Sequence, residues 1–275
     1  MSEVAEVLGA PQTVASVLEP PPELLRLERI SVQFGGVKAV TDISFTVYQG
    51  ELLSIIGPNG AGKSSLLNVI NGVYRPKAGR ILFAGQSLDH LQPEQAAHLG
   101  IARTFQNLAL FKGMSVIDNV LTGRNLKMQR SFIEHALRLP GARTEEARHR
   151  AVAEAMLEFL HIARYRDVAV GQLPYGLQKR VELARALASE PRLLLLDEPM
   201  AGMNASEKHE LSRFIVEVNR RLGTTIVLIE HDMGVVMDIS DRVIVLDYGL
   251  KIADNLPEIV REQPEVIAAY VGATH

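Results

Sequence analysis

The sequence predicts an α/β fold centred on a parallel sheet, and three features carry that expectation. Short apolar runs alternate with longer amphipathic stretches, the pattern of strands and helices laid against one another. In the C-terminal half the order strand, helix, strand recurs, and strands joined in this way pair in parallel through right-handed crossovers. A glycine-rich loop, Gly57 to Ser64, runs directly from a buried strand into a helical segment.

Taken in order, the first stretch is expected to be a disordered tail over 1–22. Val4 to Leu18 is mildly apolar but carries Glu6 and no basic leader, and it ends at Pro20-Pro21-Pro22. Leu25 to Phe34 and Val37 to Val47 alternate apolar and polar residues around Gly35-Gly36, which predicts a small antiparallel sheet or hairpin. Leu52 to Ile56 reads as a buried strand and Ser65 to Ile70 as a helix. From about Ser115 to Leu187 the character is helical, an insertion in which Ala147, Ala151, Ala155 and Phe159 recur along one expected apolar stripe. The core pattern then resumes with a strand at Leu193 to Leu196. A helix follows over Glu207 to Leu222, with Leu211, Phe214, Ile215 and Val218 on one face, and then strands at Thr225 to Ile229 and Val243 to Leu246.

Composition narrows the function. The 275 residues include 29 basic and 32 acidic side chains, for a net charge of −3, so no summed positive field recruits nucleic acid. With no cysteine, disulfides and thiol catalysis are excluded, and a reducing compartment such as the cytoplasm fits. No apolar run approaches the roughly 18 residues that a membrane helix needs.

Gly57-Pro58-Asn59-Gly60-Ala61-Gly62-Lys63-Ser64 fits G-x-x-x-x-G-K-[ST] with the strand before and the helix after that this motif requires. Glycines let the backbone curl until several N–H groups point inward, and the helix adds its positive end, so the loop suits the phosphates of ATP. Lys63 then reaches the β- and γ-phosphates, Ser64 places its hydroxyl on Mg²⁺, and Ser65 contacts the α-phosphate. The strand Leu193 to Leu196 ends in Asp197-Glu198, at the carboxyl edge where α/β sheets hold ligands. Asp197 suits the water-rich shell of Mg²⁺. Glu198 is placed to orient or deprotonate an attacking water. The alternative is that the two acids cap the next helix.

Further segments resemble the nucleotide-binding subunit of ATP-binding-cassette (ABC) transporters, from about Leu24 to Gly272. The resemblance implies a P-loop NTPase (RecA-like) core with a small antiparallel β-subdomain and an α-helical subdomain at about 107–190, all within one domain over 23–275. It implies that Phe34 stacks on adenine. Gln106, in Arg103-Thr104-Phe105-Gln106-Asn107, matches the glutamine that links magnesium and water to the helical subdomain. Leu173-Pro174-Tyr175-Gly176-Leu177-Gln178 occupies the place of the family signature, usually Leu-Ser-Gly-Gly-Gln, which acts on ATP held by the other subunit of a dimer. Pro174 stands where the signature serine would touch the γ-phosphate and offers neither hydroxyl nor N–H, so contact there falls to backbone groups near Tyr175 and Gly176. Pro199 to Asn204 resembles the segment that crosses the dimer interface, with Asn204 in the usual place of aspartate. His231 resembles the switch histidine that bonds the γ-phosphate.

Among subfamilies, the Tyr-Gly signature, Ala201-Gly202-Met203-Asn204, Ile229-Glu230-His231-Asp232-Met233 and the terminal Ala269-Tyr270-Val271-Gly272 look like ATPases of branched-chain amino acid importers. Related amide, urea and lipid systems share many of these letters. The implied partners are a second, related ABC ATPase in a heterodimer, transmembrane permease subunits and a separate solute-binding protein, with the chain peripheral on the cytoplasmic face of the membrane. In such a heterodimer the altered signature would make the partner's ATP site the weaker of two. A soluble ABC ATPase acting on DNA or ribosomes, a P-loop nucleotide kinase and an idle regulatory subunit are the competing readings.

Overall fold

The structure, a computed structural model, describes residues 21–88, 91–104, 106, 108–128 and 140–271. The expected tail, Phe105, Asn107 and Gly272 therefore lie outside the described residues, except for Pro21 and Pro22. Two sheets form the frame. The smaller, in the order β2-β1-β4-β5, is antiparallel and contains β1 (Glu23–Phe34), β2 (Val37–Tyr48), β4 (Ala78–Phe83) and β5 (Gln86–Ser87). The larger runs β10-β9-β3-β8-β7-β6 through β3 (Leu52–Ile56), β6 (Ile101–Arg103), β7 (Leu193–Asp197), β8 (Thr225–Ile229), β9 (Arg242–Asp247) and β10 (Leu250–Asn255). Its pairings are parallel except at the β9–β10 edge, which is a hairpin and so must be antiparallel.

Side chains on a strand alternate between faces, and the parallel sheet uses both faces. Leu53, Ile55, Leu193, Leu195, Val227, Ile229, Ile244 and Leu246 join one core with the antiparallel sheet and α1 (Lys63–Ile70). Their neighbours Leu52, Leu194, Leu196, Ile226 and Leu228 join the opposite core with the helices. Those helices are α3 (Val116–Thr122), α4 (Pro140–Phe159), α5 (Tyr175–Ala188) and α6 (Ala205–Leu222). The short α2 (Pro93–His98) precedes β6, while α7 (Met233–Ile239), α8 (Pro257–Val260) and α9 (Pro264–Val271) close the C-terminal part of the chain. In α6 the expected face is buried: Leu211, Phe214, Ile215 and Val218 are all within the core.

The stripe expected on α4 is a correction. Ala147, Ala151 and Ala155 face solvent and Phe159 is only half-buried, whereas His149, Ala153, Leu157 and Leu160 are buried. Alanine favours a helix on either face, so its spacing reports helix formation without saying which side is covered. Four strands, β4, β5, β6 and β10, fall outside the sequence expectation, β5 being only two residues long. Strand β6 is a three-residue Ile-Ala-Arg segment, too short to show a period, β4 opens on Ala78-Gly79-Arg80, and the edge strand β10 is half polar.

Candidate functional site

The phosphate loop follows β3 at the carboxyl edge of the parallel sheet. Gly57 and Gly62 have φ of 148° and 99°, and a Cβ on either would lie 2.0 Å from the Leu246 carbonyl or 2.4 Å from the Ala39 carbonyl. Both glycines are thus required by backbone conformation and by close approach. Gly62 begins α1 with no side chain bonded to the helix's first amides, so those N–H groups are left for an anion. Pro58 is half-buried, Asn59 and Gly60 are exposed, Ala61 is buried, Ser64 is exposed and Ser65 is half-buried, so the hydroxyl predicted to meet a metal reaches the surface.

Lys63 is 7% exposed, and its ammonium donates to the carbonyls of Gly57 at 2.7 Å and Pro58 at 2.9 Å. Burial pushes its pKa below the ordinary value, and the charges of Glu198 and Asp197 oppose that shift. The lysine is therefore folded onto its own loop, within electrostatic reach of both carboxylates.

The acidic pair leaves β7, which is separated from β3 by β8 alone. Asp197 is buried and its Oδ2 accepts from Arg103 Nη2 at 2.7 Å, while Nη1 of the same guanidinium donates to Asn68 of α1 at 2.6 Å. Arg103 thus ties three elements together, β6, β7 and the phosphate-loop helix. It stands beside the predicted Gln106 motif, but its role depends on β6 pairing with β7, which the letters do not display. Glu198 takes φ 47°, a left-handed conformation that is strained in a residue other than glycine, and its N–H donates to the Ile229 carbonyl at 2.9 Å. Gln106 Nε2 donates to Glu198 Oε2 at 2.9 Å, so two residues far apart in sequence meet at one carboxylate. The two acids do not cap the next helix. Asn204 does so, in a reciprocal capping box with Glu207.

The remaining predicted residues are placed less closely. Phe34 is 45% exposed and meets Tyr74 edge to face at 4.9 Å, leaving part of its ring open. His231 follows β8 and is 56% exposed, its Nδ1 lying 3.7 Å from Glu230. Pro174 begins α5 with no capping side chain, so that helix also presents free amides, and Tyr175 and buried Gly176 follow. Tyr175 packs against Gly202, and Gly176 sits beside Glu207, where a Cβ would meet its carboxylate at 2.6 Å. Among the described residues no hydrogen bond or ring contact joins Pro174, Tyr175 or Gly176 to the chain's own phosphate loop. Sequence reasoning also missed Lys179, whose buried ammonium donates to the Gln106 carbonyl at 3.0 Å and pairs with Glu182, joining α5 to the glutamine.

The ABC transporter family model matches residues 40–201. The high-affinity branched-chain amino acid transport ATP-binding protein LivG of Escherichia coli (strain K12) is 39% identical over 249 residues, which is 90% of this chain and 98% of LivG. BraF of Pseudomonas aeruginosa, named for the same transport, is 36% identical with the same coverage of both chains. The crystal structure of the ADP conformation of MJ1267, an ATP-binding cassette of an ABC transporter, aligns with a TM-score of 0.79 at 33% identity, covering 91% of this chain and 99% of that one. Because the matched region runs from β2 through the phosphate loop and the signature helix to Asp197 and Glu198, the chain belongs to the ABC transporter family.

Proposed function

We propose that this chain is the ATP-hydrolysing subunit of an importer for branched-chain amino acids, driving separate membrane subunits. The observation that carries the ATPase reading is the meeting of Lys63, Asp197, Glu198 and Gln106 at one edge of the sheet. The near-full-length likeness to LivG and BraF supports the solute class.

In this reading the amides of Gly60 to Ser65 and Lys63 grip the β- and γ-phosphates, Ser65 adds an α-phosphate contact, and Phe34 covers one face of adenine. Mg²⁺ fits the oxygen donors present, Ser64, Asp197 and Gln106, and when bound it offsets phosphate charge. Among the described residues no group of three acidic or histidine side chains could hold a metal ion. Glu198 holds the attacking water and takes its proton, Gln106 orients that carboxylate, and His231 donates to the γ-phosphate.

The signature amides at Tyr175 and Gly176 are turned to a second ABC ATPase, whose ATP they complete across a heterodimer. Among the described residues no helix is long and apolar enough to cross a membrane. By likeness to the transport ATP-binding proteins LivG and BraF, the chain docks on permease subunits at the cytoplasmic face, with a separate binding protein delivering solute.

The test is uptake of radiolabelled leucine by vesicles carrying the chain with its membrane subunits. Lys63→Ala should weaken ATP binding at least tenfold, while Glu198→Gln should bind ATP normally and lose at least about a hundredfold in turnover. Normal turnover in Glu198→Gln would remove its assigned role. Uptake of another solute in place of leucine would overturn the solute class alone.

A further inference from the structure

Glu230 directly follows β8, the strand between the phosphate-loop strand and the strand that leads into Asp197 and Glu198. It is 0% exposed. Its Oε1 accepts the Met200 N–H at 2.9 Å and its Oε2 accepts the His231 N–H at 3.2 Å. One carboxylate therefore bonds a backbone amide on each of two different loops, the one after Glu198 and the one that carries the histidine. The same strand end also accepts the Glu198 N–H, through the Ile229 carbonyl.

We propose that Glu230 is a positioning residue that clamps the segment after Glu198 to the histidine loop, so that Glu198 and His231 move as one unit. This rests on the ATPase reading above. The two donors meet different oxygens of the one side chain, and a carboxamide in that position would offer an oxygen to only one of them. Burial pushes the Glu230 carboxyl above its ordinary range, and the two amides and the nearby His231 pull it back, while Glu198 adds to the rise. Lys208 is the other charge that senses it. A buried acid so placed is costly unless both its oxygens are used.

The experiment uses the full chain. In Glu230→Gln one oxygen is replaced by an NH₂ group that opposes a backbone N–H, so kcat should fall about ten- to a hundredfold, while ATP affinity changes less than about threefold. Amide hydrogen exchange should show Met200 and His231 protected in the unaltered chain. At least one should lose about tenfold of that protection in the variant, with the amides of α1 unchanged. Glu230→Gln and His231→Ala should also be non-additive in kcat. Unchanged kcat, additive losses, or equal exchange in both proteins overturns the clamp, as does a loss of ATP affinity in step with kcat. Should the variant not fold, fast exchange of either amide in the unaltered chain overturns the clamp and slow exchange of both supports it. If the unaltered chain hydrolyses no ATP, the ATPase reading fails while the exchange result still decides the clamp.

Discussion

Arg103→Met removes one half of a buried ion pair, and the structure sets the size of the loss. The guanidinium and the Asp197 carboxylate are 7% and 6% exposed and 2.7 Å apart, so water screens them little. Methionine keeps much of the volume and leaves the carboxylate without its cation and Asn68 Oδ1 without its donor. Removing one partner of a buried pair costs about 3 to 5 kcal/mol. At about 2 to 4 °C per kcal/mol for a chain of this size, the melting temperature should fall by roughly 6 to 20 °C. The assay is urea and thermal unfolding of four proteins: the unaltered chain, Arg103→Met, Asp197→Asn and the double variant. Because the double variant no longer buries a lone charge, it should regain at least about 1.5 kcal/mol relative to the sum of the single changes. A single variant within about 0.5 kcal/mol of the unaltered chain, or strict additivity, would refute the claim that this pair holds β6, β7 and α1 together.

The remaining predictions concern stability. Leu157→Ala should cost about 2 to 5 kcal/mol in urea unfolding, whereas Ala155→Glu, on the solvent face of the same helix, should stay within about 0.5 kcal/mol. The Lys208 ammonium, 2.8 Å from Asp232, holds that carboxyl below its ordinary 3.8. The bridge therefore stabilises the fold above pH 3.8 and is lost as pH falls through the lower folded value. The stability gap between the unaltered chain and Asp232→Asn should be present at pH 6 and close on acidification below about pH 3.8; a gap independent of pH would count against it.

Much of the fold was legible because its signals are local. Apolar runs such as Leu193 to Leu196 and Thr225 to Ile229 mark strands buried on both faces, and Leu211, Phe214, Ile215 and Val218 mark one side of a helix. Alanines misled on α4, since helix propensity carries no direction, and β6 was invisible because three residues show no period. At the site, the loop at Gly57 to Ser64 was legible because its chemistry is written in consecutive residues.

By itself, then, the sequence determined the α/β class, the phosphate loop, the acidic strand end and the resemblance to ABC ATPases, all of them properties of short contiguous segments. Only the tertiary structure decided that Arg103 is the cation beside Asp197, that Gln106 meets Glu198, and that Glu230 bonds two loops. Those contacts depend on β6, β7 and β8 lying side by side. Hydrogen bonds and ion pairs act over a few ångströms of space, and strand pairing sets that distance whatever the separation along the chain.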